Sequence, residues 1–189
     1  MITEKLVTAA KEFAYSEIEK FGLPTKLHFD ISFEKGDEIA VAMNADKSLV
    51  ELGVCFMDIK LGEAFSQKRI DDHIKMGVDA CNEFLKDYEV TEEEKSKIIN
   101  CIVAHHGTVP FSSLESEIVA NADCYRFIHP KGVIHYIGTL TKRNLSLPDI
   151  VKQAEYKLDE KQAILSMDYC KKELIHHYDS FKAIFAVSK

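Results

Sequence analysis

Apolar residues recur every three or four positions along almost the whole chain, which is the spacing that places them on one face of an α-helix. The alternation of single apolar and polar residues that marks a half-buried β-strand is nearly absent. The four prolines stand where helices would begin or end, at positions 24, 110, 130 and 148. The pattern therefore predicts an all-α protein.

Capping and turn residues set the ends of six helices in the first two thirds of the chain. Gly22 ends the first helix, Ser48 can cap the third, and Thr91 with Glu94 forms a capping box at the start of the fifth. The third helix is apolar on nearly all sides and is therefore expected at the centre of the fold. The six helices are expected at about residues 3–21, 28–43, 49–59, 71–88, 91–106 and 113–128, with a polar loop after the third. Residues 133–189 add two or three more, which gives about seven to nine helices in all.

Length and composition predict one domain over residues 1–189, since 46% of the residues are hydrophobic and 29% are charged. A net charge of −7 argues against a nucleic-acid partner and leaves room for a small anionic substrate. The five cysteines are widely spread and form no C-x-x-C pair, which predicts reduced thiols in the core. Neither a leader segment nor a membrane span is recognisable, so we expect a cytoplasmic protein without a membrane partner.

Imidazoles and carboxylates stand where a helix end or a face of small residues can turn them inward. A polar group on the core side of an apolar helix is costly unless it is paired or ligated, and two of the carboxylates stand in such sequence. Each residue alone would be a core histidine or a helix cap, but together they form the ligand set of a buried metal site. The five are His28, Asp58, His73, His105 and Asp123. Four other histidines lack a carboxylate at ligand-like spacing and are expected to be ordinary: His129, His135, His176 and His177.

The order of the five residues resembles the HD superfamily of metal-dependent phosphohydrolases. The matching segments are the helix that follows His28 and residues 49–60, 73–78, 102–107 and 117–123. The additional His73 and His105 resemble the members with two metals, including bacterial diadenosine tetraphosphate hydrolases of similar length. The resemblance implies an HD-domain helical bundle, with a core over about residues 25–128 and a C-terminal helical extension over about residues 133–189.

The resemblance also implies roles for the five residues. His28 and Asp123 would hold a first metal, His73 and His105 a second, and Asp58 would bridge both, with Asp58 and His73 as the catalytic pair. The cofactor would be a divalent ion (Mn, Fe, Co, Zn or Mg), one or two per chain, that activates water for attack on phosphorus.

The substrate would be a small phosphorylated molecule, in particular a nucleotide. Three further residues are expected to bind it: Lys60, His106 and Arg126. For His106 the resemblance leaves a second role open, that of a further metal ligand. The C-terminal helices would cover the pocket or form the surface of a homodimer, and the sequence leaves both open.

Met57 departs from the family pattern, because it stands where the family has the histidine of its His-Asp pair. A thioether is a poor ligand for the ions of such sites. Three outcomes stay open: one metal held by Asp58, His73 and His105, a first site completed by another residue, or a domain that binds a nucleotide without hydrolysis. Three functions are considered. A phosphohydrolase with an altered metal site is favoured over a degenerate HD domain that binds a nucleotide or protein partner, and a di-iron oxygenase ranks last because it needs both metals well held.

Overall fold

The computed structural model describes residues 2–188, so the two terminal residues of the predicted domain lie outside it. Within that range the chain forms ten α-helices and one short 3₁₀ helix, and no strand. The α-helices are α1 (Glu4–Phe21), α2 (Lys26–Met43), α3 (Lys47–Met57), α4 (Leu61–Ser66), α5 (His73–Leu85), α6 (Glu92–Ala104), α7 (Leu114–Ile128), α8 (Pro130–Thr141), α9 (Leu147–Ile164) and α10 (Asp168–Val187). The 3₁₀ helix spans Ile70–Asp72. The all-α prediction is confirmed.

Several predicted helix ends are confirmed by the hydrogen bonds that fix them. Gly22 follows α1 with a φ of 76°, the left-handed conformation that glycine adopts without strain. The Thr91 hydroxyl and the Glu94 carboxylate form the capping box of α6, and Ser113 caps α7.

The start of α3 differs from the prediction. The Asp46 carboxylate accepts a hydrogen bond of 3.1 Å from the backbone N–H of Leu49, so Asp46 rather than Ser48 is the cap and the helix begins at Lys47. The helix ends at Met57, two residues before the predicted end, which leaves Asp58 at its C-terminal cap.

The number of α-helices within residues 2–188 exceeds the predicted seven to nine because of the short helix α4. This helix lies where the sequence pattern predicts a polar loop. Six residues are too few for helical periodicity to show in a sequence. The helix instead forms against the end of α1, where Gly62 is buried: a Cβ at this position would lie 2.6 Å from the Leu23 carbonyl oxygen and from Phe21 Cβ.

Helices α3 and α7 form the centre of the bundle. Helix α3 packs against α1, α2, α6 and α7, and α7 packs against α2, α6, α8, α9 and α10. Every residue of α3 from Leu52 to Met57 is buried, which confirms the central position expected for this helix. Because the two helices touch, Asp58 at the end of α3 comes close to Asp123 in α7.

The remaining expectations about composition concern thiols and membranes. All five cysteines are free and buried, as predicted. No helix within residues 2–188 combines the length and the apolar character needed to cross a membrane.

Gly53 allows α3 to approach α6 and α7 closely, since a Cβ at this position would lie 2.7 Å from Cys101 Cβ and 2.8 Å from Val119 Cγ2. We expect Gly53→Ala to lower the free energy of unfolding by about 1–3 kcal/mol, measured by urea denaturation, because overpacking outweighs the gain in helix propensity. The matched control is Gly138→Ala in α8, where a Cβ meets no atom within 4 Å. This control should gain up to about 1 kcal/mol, and a similar loss in both variants would contradict the explanation.

Candidate metal centre

One carboxylate and three imidazoles converge where the ends of α3, α5 and α6 meet. Their ligand atoms all lie within 4.8 Å of one another: the group consists of Asp58, His73, His105 and His106. Asp58 caps the C-terminus of α3, His73 is the first residue of α5, and His105 caps the C-terminus of α6. Carboxylate oxygen and imidazole nitrogen together suit divalent ions such as Zn, Fe, Co and Mn.

Two of these imidazoles are held in the same way. The His73 Nδ1–H donates to the Ile70 carbonyl at 2.6 Å, and the His105 Nδ1–H donates to the Ile102 carbonyl at 2.7 Å. A carbonyl oxygen only accepts, so the proton must be on Nδ1 in both rings. With a single proton on each ring, Nε2 is the nitrogen that can ligate a metal, and the Nε2 of His73 also lies 3.3 Å from His106 Nε2. Such carbonyl contacts are the usual way in which metal-binding histidines are oriented.

The Nε2 atom of His105 is the strongest indication of a metal site. His105 is fully buried, and its Nε2 has no hydrogen-bond partner among residues 2–188. It lies 3.5 Å from Asp58 Oδ1, and His73 Nε2 lies 3.7 Å from the same oxygen. Because a buried acceptor without a partner is costly, an ion at this position would satisfy an atom that the protein leaves unpaired. The residues present fit a metal ion.

His106 lies on the pocket side of the cluster. Its Nδ1 lies 3.5 Å from Lys161 Nζ and its Nε2 lies 3.3 Å from His73 Nε2. Burial, together with the neighbouring His105 and Lys161, lowers the pKa of His106 to about 3. The ring is therefore neutral at physiological pH, with its proton on Nε2 because the ammonium group donates to Nδ1.

Two carboxylates and two cations form a buried ionic network beside this cluster. Arg126 Nη1 donates to Asp58 Oδ2 at 2.6 Å and to Asp123 Oδ1 at 2.7 Å, while Lys161 Nζ donates to Asp123 Oδ2 at 2.6 Å. All four residues are buried, and Lys161 is only 1% exposed. The two negative and two positive charges balance.

These cations also decide the protonation of the carboxylates. Burial would raise the pKa of Asp58, but the adjacent Arg126 guanidinium holds it well below its usual range. The pKa of Asp123 is likewise lowered, because Lys161 and Arg126 together outweigh the effect of burial. Both carboxylates are ionised at physiological pH.

Of the five residues predicted to bind metal, the structure brings three together and separates two. His28 Nε2–H donates to the Gly132 carbonyl at 3.2 Å, and the ring packs against Phe127. His28 and Asp123 do not belong to the group whose ligand atoms converge, although both line the adjoining pocket. Met57 is 2% exposed and belongs to the hydrophobic core.

A pocket of about 220 Å³ opens beside the cluster. Its apolar wall is formed by seven residues: Leu23, Pro24, Leu61, Phe65, Ile70, Phe127 and Tyr136. Its cations are Arg126, Arg143, Lys157 and Lys161. Helices α8 and α9 supply residues to this pocket, which supports the expectation that the C-terminal part covers it.

The three residues predicted to bind substrate occupy different places. His106 and Arg126 line the pocket, whereas Lys60 is not among its lining residues. Lys60 Nζ instead contacts Glu17 at 2.7 Å and Glu63 at 2.8 Å.

Lys161 was missed by the sequence prediction, although the sequence does contain a signal. It follows Leu158 by three positions and precedes Leu165 by four, and both leucines are buried. A lysine on the apolar face of a helix needs a buried partner, and here the partner is Asp123.

The proteins that are similar to this chain in sequence are much longer than it. No family model matches. The chain is 29% identical over 117 residues to ribonuclease Y of Campylobacter jejuni subsp. doylei and 31% identical over 115 residues to ribonuclease Y of Finegoldia magna. These matches cover 62% and 56% of this chain but 21% of each relative, so the chain spans about a fifth of their length.

Solved structures with the same architecture match nearly the whole chain. A predicted HD superfamily hydrolase from an uncultured Thermotogales bacterium has a TM-score of 0.60 at 16% identity, over 80% of this chain and 84% of that one. A protein from Lactobacillus plantarum has a TM-score of 0.68 at 16% identity, over 99% of this chain and 100% of that one. The chain is thus all-helical, with a group of Asp and His side chains that could hold a metal ion. Its fold is shared with the predicted HD superfamily hydrolase, in agreement with the resemblance.

The buried His28 makes folding depend on pH. Burial, with the nearby Arg126 charge, lowers the pKa of His28 to about 3 from an ordinary value of 6.5. Below pH 6.5, His28 is therefore protonated in the unfolded chain but stays neutral in the folded chain. We expect the free energy of unfolding of metal-free protein to fall by about 1.4 kcal/mol per pH unit from this residue as the pH drops from 6.5 towards 3.

The measurement compares urea unfolding of the wild type and His28→Gln at pH 6.5, 5.5 and 4.5. Glutamine can still donate to the Gly132 carbonyl but does not titrate, so the variant should show a shallower pH dependence. If the free energy of unfolding fell equally with pH in both proteins, His28 would not be the cause of the pH dependence.

Proposed function

We propose that this chain is a metal-dependent phosphohydrolase that acts on a nucleotide or another small phosphoester, with an ion held by Asp58, His73 and His105. The observation that carries the proposal is the unpaired, fully buried His105 Nε2, which lies 3.5 Å from the free Oδ1 of Asp58. A divalent ion bound there would lower the pKa of a coordinated water and polarise a phosphoryl oxygen.

The charges of the pocket support an anionic substrate. Arg143 and Lys157 line the pocket without belonging to the ionic network of Asp58 and Asp123, so they are the cations that can turn to a phosphate. Lys157 Nζ already contacts Glu160 at 2.8 Å, so it would exchange this carboxylate for a phosphate oxygen.

The aromatic side chains of the pocket support a planar group on the substrate. The rings of Phe127 and Tyr136 pack edge to face at 5.1 Å, and Phe65 lines the same pocket. A nucleobase can stack on such rings while its phosphate points to the cations. These walls also exclude water from the reacting group. The His106 Nε2–H points to His73 Nε2 at 3.3 Å and would exchange this contact for an oxygen of the substrate.

The test is a screen of purified, chelator-treated protein reloaded with Mn, Fe, Co or Zn. Substrates are p-nitrophenyl phosphate, bis(p-nitrophenyl) phosphate, nucleoside mono- and diphosphates, and a short oligoribonucleotide, the last because of the similarity to ribonuclease Y. We expect release of phosphate or of a nucleoside monophosphate that depends on the metal. Absence of turnover with every ion, or turnover that Asp58→Asn leaves unchanged, would refute the proposal.

A second candidate is a domain that binds a nucleotide without turnover. It is favoured by the Arg126 guanidinium, which lies between two carboxylates that the resemblance assigns to a metal ion. This candidate predicts that a nucleotide raises the melting temperature of metal-free protein and is recovered unchanged. Metal-dependent turnover by the wild type would rule it out.

A further inference from the structure

The two oxygens of Asp58 have opposite surroundings. Oδ2 accepts from Arg126 at 2.6 Å, whereas Oδ1 lies 3.5 Å from His105 Nε2 and 3.7 Å from His73 Nε2. One oxygen of Asp58 therefore faces a protein cation, and the other faces two imidazole nitrogens that can ligate a metal.

Arg126 lies at the point where a second ion would have to bind. A single nitrogen, Nη1, is within 2.7 Å of one oxygen from Asp58 and one from Asp123, so the two carboxylates converge on it as they would on a metal. Lys161 occupies the other oxygen of Asp123 at 2.6 Å. No oxygen of Asp123 is left without a cation.

An ion between these carboxylates would also have fewer nitrogen ligands than the family pattern provides. The residue before Asp58 is Met57, whose side chain is 2% exposed in the core. His28 donates its Nε2–H to a backbone carbonyl and so does not offer that nitrogen as a lone pair. The residues on this side of Asp58 therefore do not fit a metal ion, unlike those on the other side.

The balance of charge leads to the same conclusion. Arg126 and Lys161 are 4% and 1% exposed, and together they neutralise Asp58 and Asp123. A divalent ion between the carboxylates would add two positive charges to a buried site that is already neutral, which low-dielectric surroundings oppose.

We propose that Arg126 and Lys161 replace the first metal ion in this chain, so that no divalent ion binds between Asp58 and Asp123. The chain then holds a single ion, at Asp58, His73 and His105. The single-ion part rests on the proposed function, whereas the exclusion of an ion by Arg126 does not.

The experiment counts Co²⁺ ions in three forms of the protein. Chelator-treated wild type, Met57→His, and Met57→His combined with Arg126→Ala are equilibrated with Co²⁺, and bound cobalt is measured by mass spectrometry and by visible absorption, which reports nitrogen ligation. We expect one ion in the wild type and in Met57→His, and two in the double variant. His73→Gln should remove the wild-type ion, and His28→Gln should retain it.

The outcomes separate the two proposals. Two ions in the wild type or in Met57→His, or no additional ion in a folded double variant, would overturn the replacement of metal by Arg126. No ion in the wild type but one in the double variant would support that replacement while refuting the proposed function. If the double variant does not fold, the counts for the wild type and Met57→His decide, because both retain Arg126 and the balanced network.

Discussion

Replacing His105 by glutamine is expected to abolish metal binding and, with it, phosphate release. The substitution takes away the buried imidazole nitrogen that faces Asp58 without a hydrogen-bond partner and leaves the charges of Asp58, Asp123, Arg126 and Lys161 untouched. Because the loss of an outer-shell partner already weakens metal binding about 10–100-fold, loss of the ligand itself should weaken Co²⁺ binding by more than about a hundredfold. Turnover should fall about a thousandfold or more, since a metal contributes several kcal/mol to such a reaction.

The measurement is a Co²⁺ titration followed by visible absorption, with turnover measured in parallel. The matched control is His28→Gln, which changes another buried histidine outside the convergent group. It should retain both the spectrum and the ion. If both variants lost the ion equally, the effect would be on folding, and circular dichroism would show this. A His105→Gln protein that binds Co²⁺ like the wild type would place the metal elsewhere.

Replacing Arg126 by methionine is expected to cause the largest loss of stability. Methionine retains much of the side-chain volume but leaves the buried Asp58 and Asp123 with only one cation, Lys161. Removal of one partner from a buried ion pair typically costs about 3–5 kcal/mol. A domain has only about 5–15 kcal/mol of stability in total, so the variant should unfold at far lower urea concentrations.

Two comparisons show whether charge is the cause. Lys86→Met removes a cation from an exposed pair with Glu83 and should change the free energy of unfolding by less than about 1 kcal/mol. Combining Arg126→Met with Asp123→Asn removes one charge of each sign and should recover part of the loss. If the double variant were as unstable as the sum of the single variants, packing rather than charge would explain the role of Arg126.

The convergence of Asp58, His73 and His105 could be predicted because each residue stands at a helix end. Helix ends follow from capping residues and glycines, which act locally and can be read from a sequence. The central position of α3 could also be predicted, since a helix that is apolar all round has to be buried. These predictions needed no knowledge of how the helices are arranged.

The partners of Arg126 and Lys161 could not be predicted in the same way. Which carboxylate oxygen meets Arg126 depends on the contact between α3 and α7, and the approach of Lys161 depends on the docking of α9 on α7. Both are set by packing between segments far apart in the chain. The sequence therefore suggested Arg126 as a substrate ligand and assigned His28 and Asp123 to a metal, while the structure shows Arg126 and Asp123 paired with each other.

The position of Lys161 in the chain has a consequence for biosynthesis. Asp123 belongs to α7, whereas its second cation comes from α9, which is synthesised two helices later. Until α9 has been synthesised and has docked, the interior of the nascent bundle carries one more negative than positive charge. The earlier helices can pack together before that moment, but the charges of Asp58 and Asp123 are balanced only once α9 is in place. A chain that stops before α9 should therefore be degraded by proteases faster than the full chain.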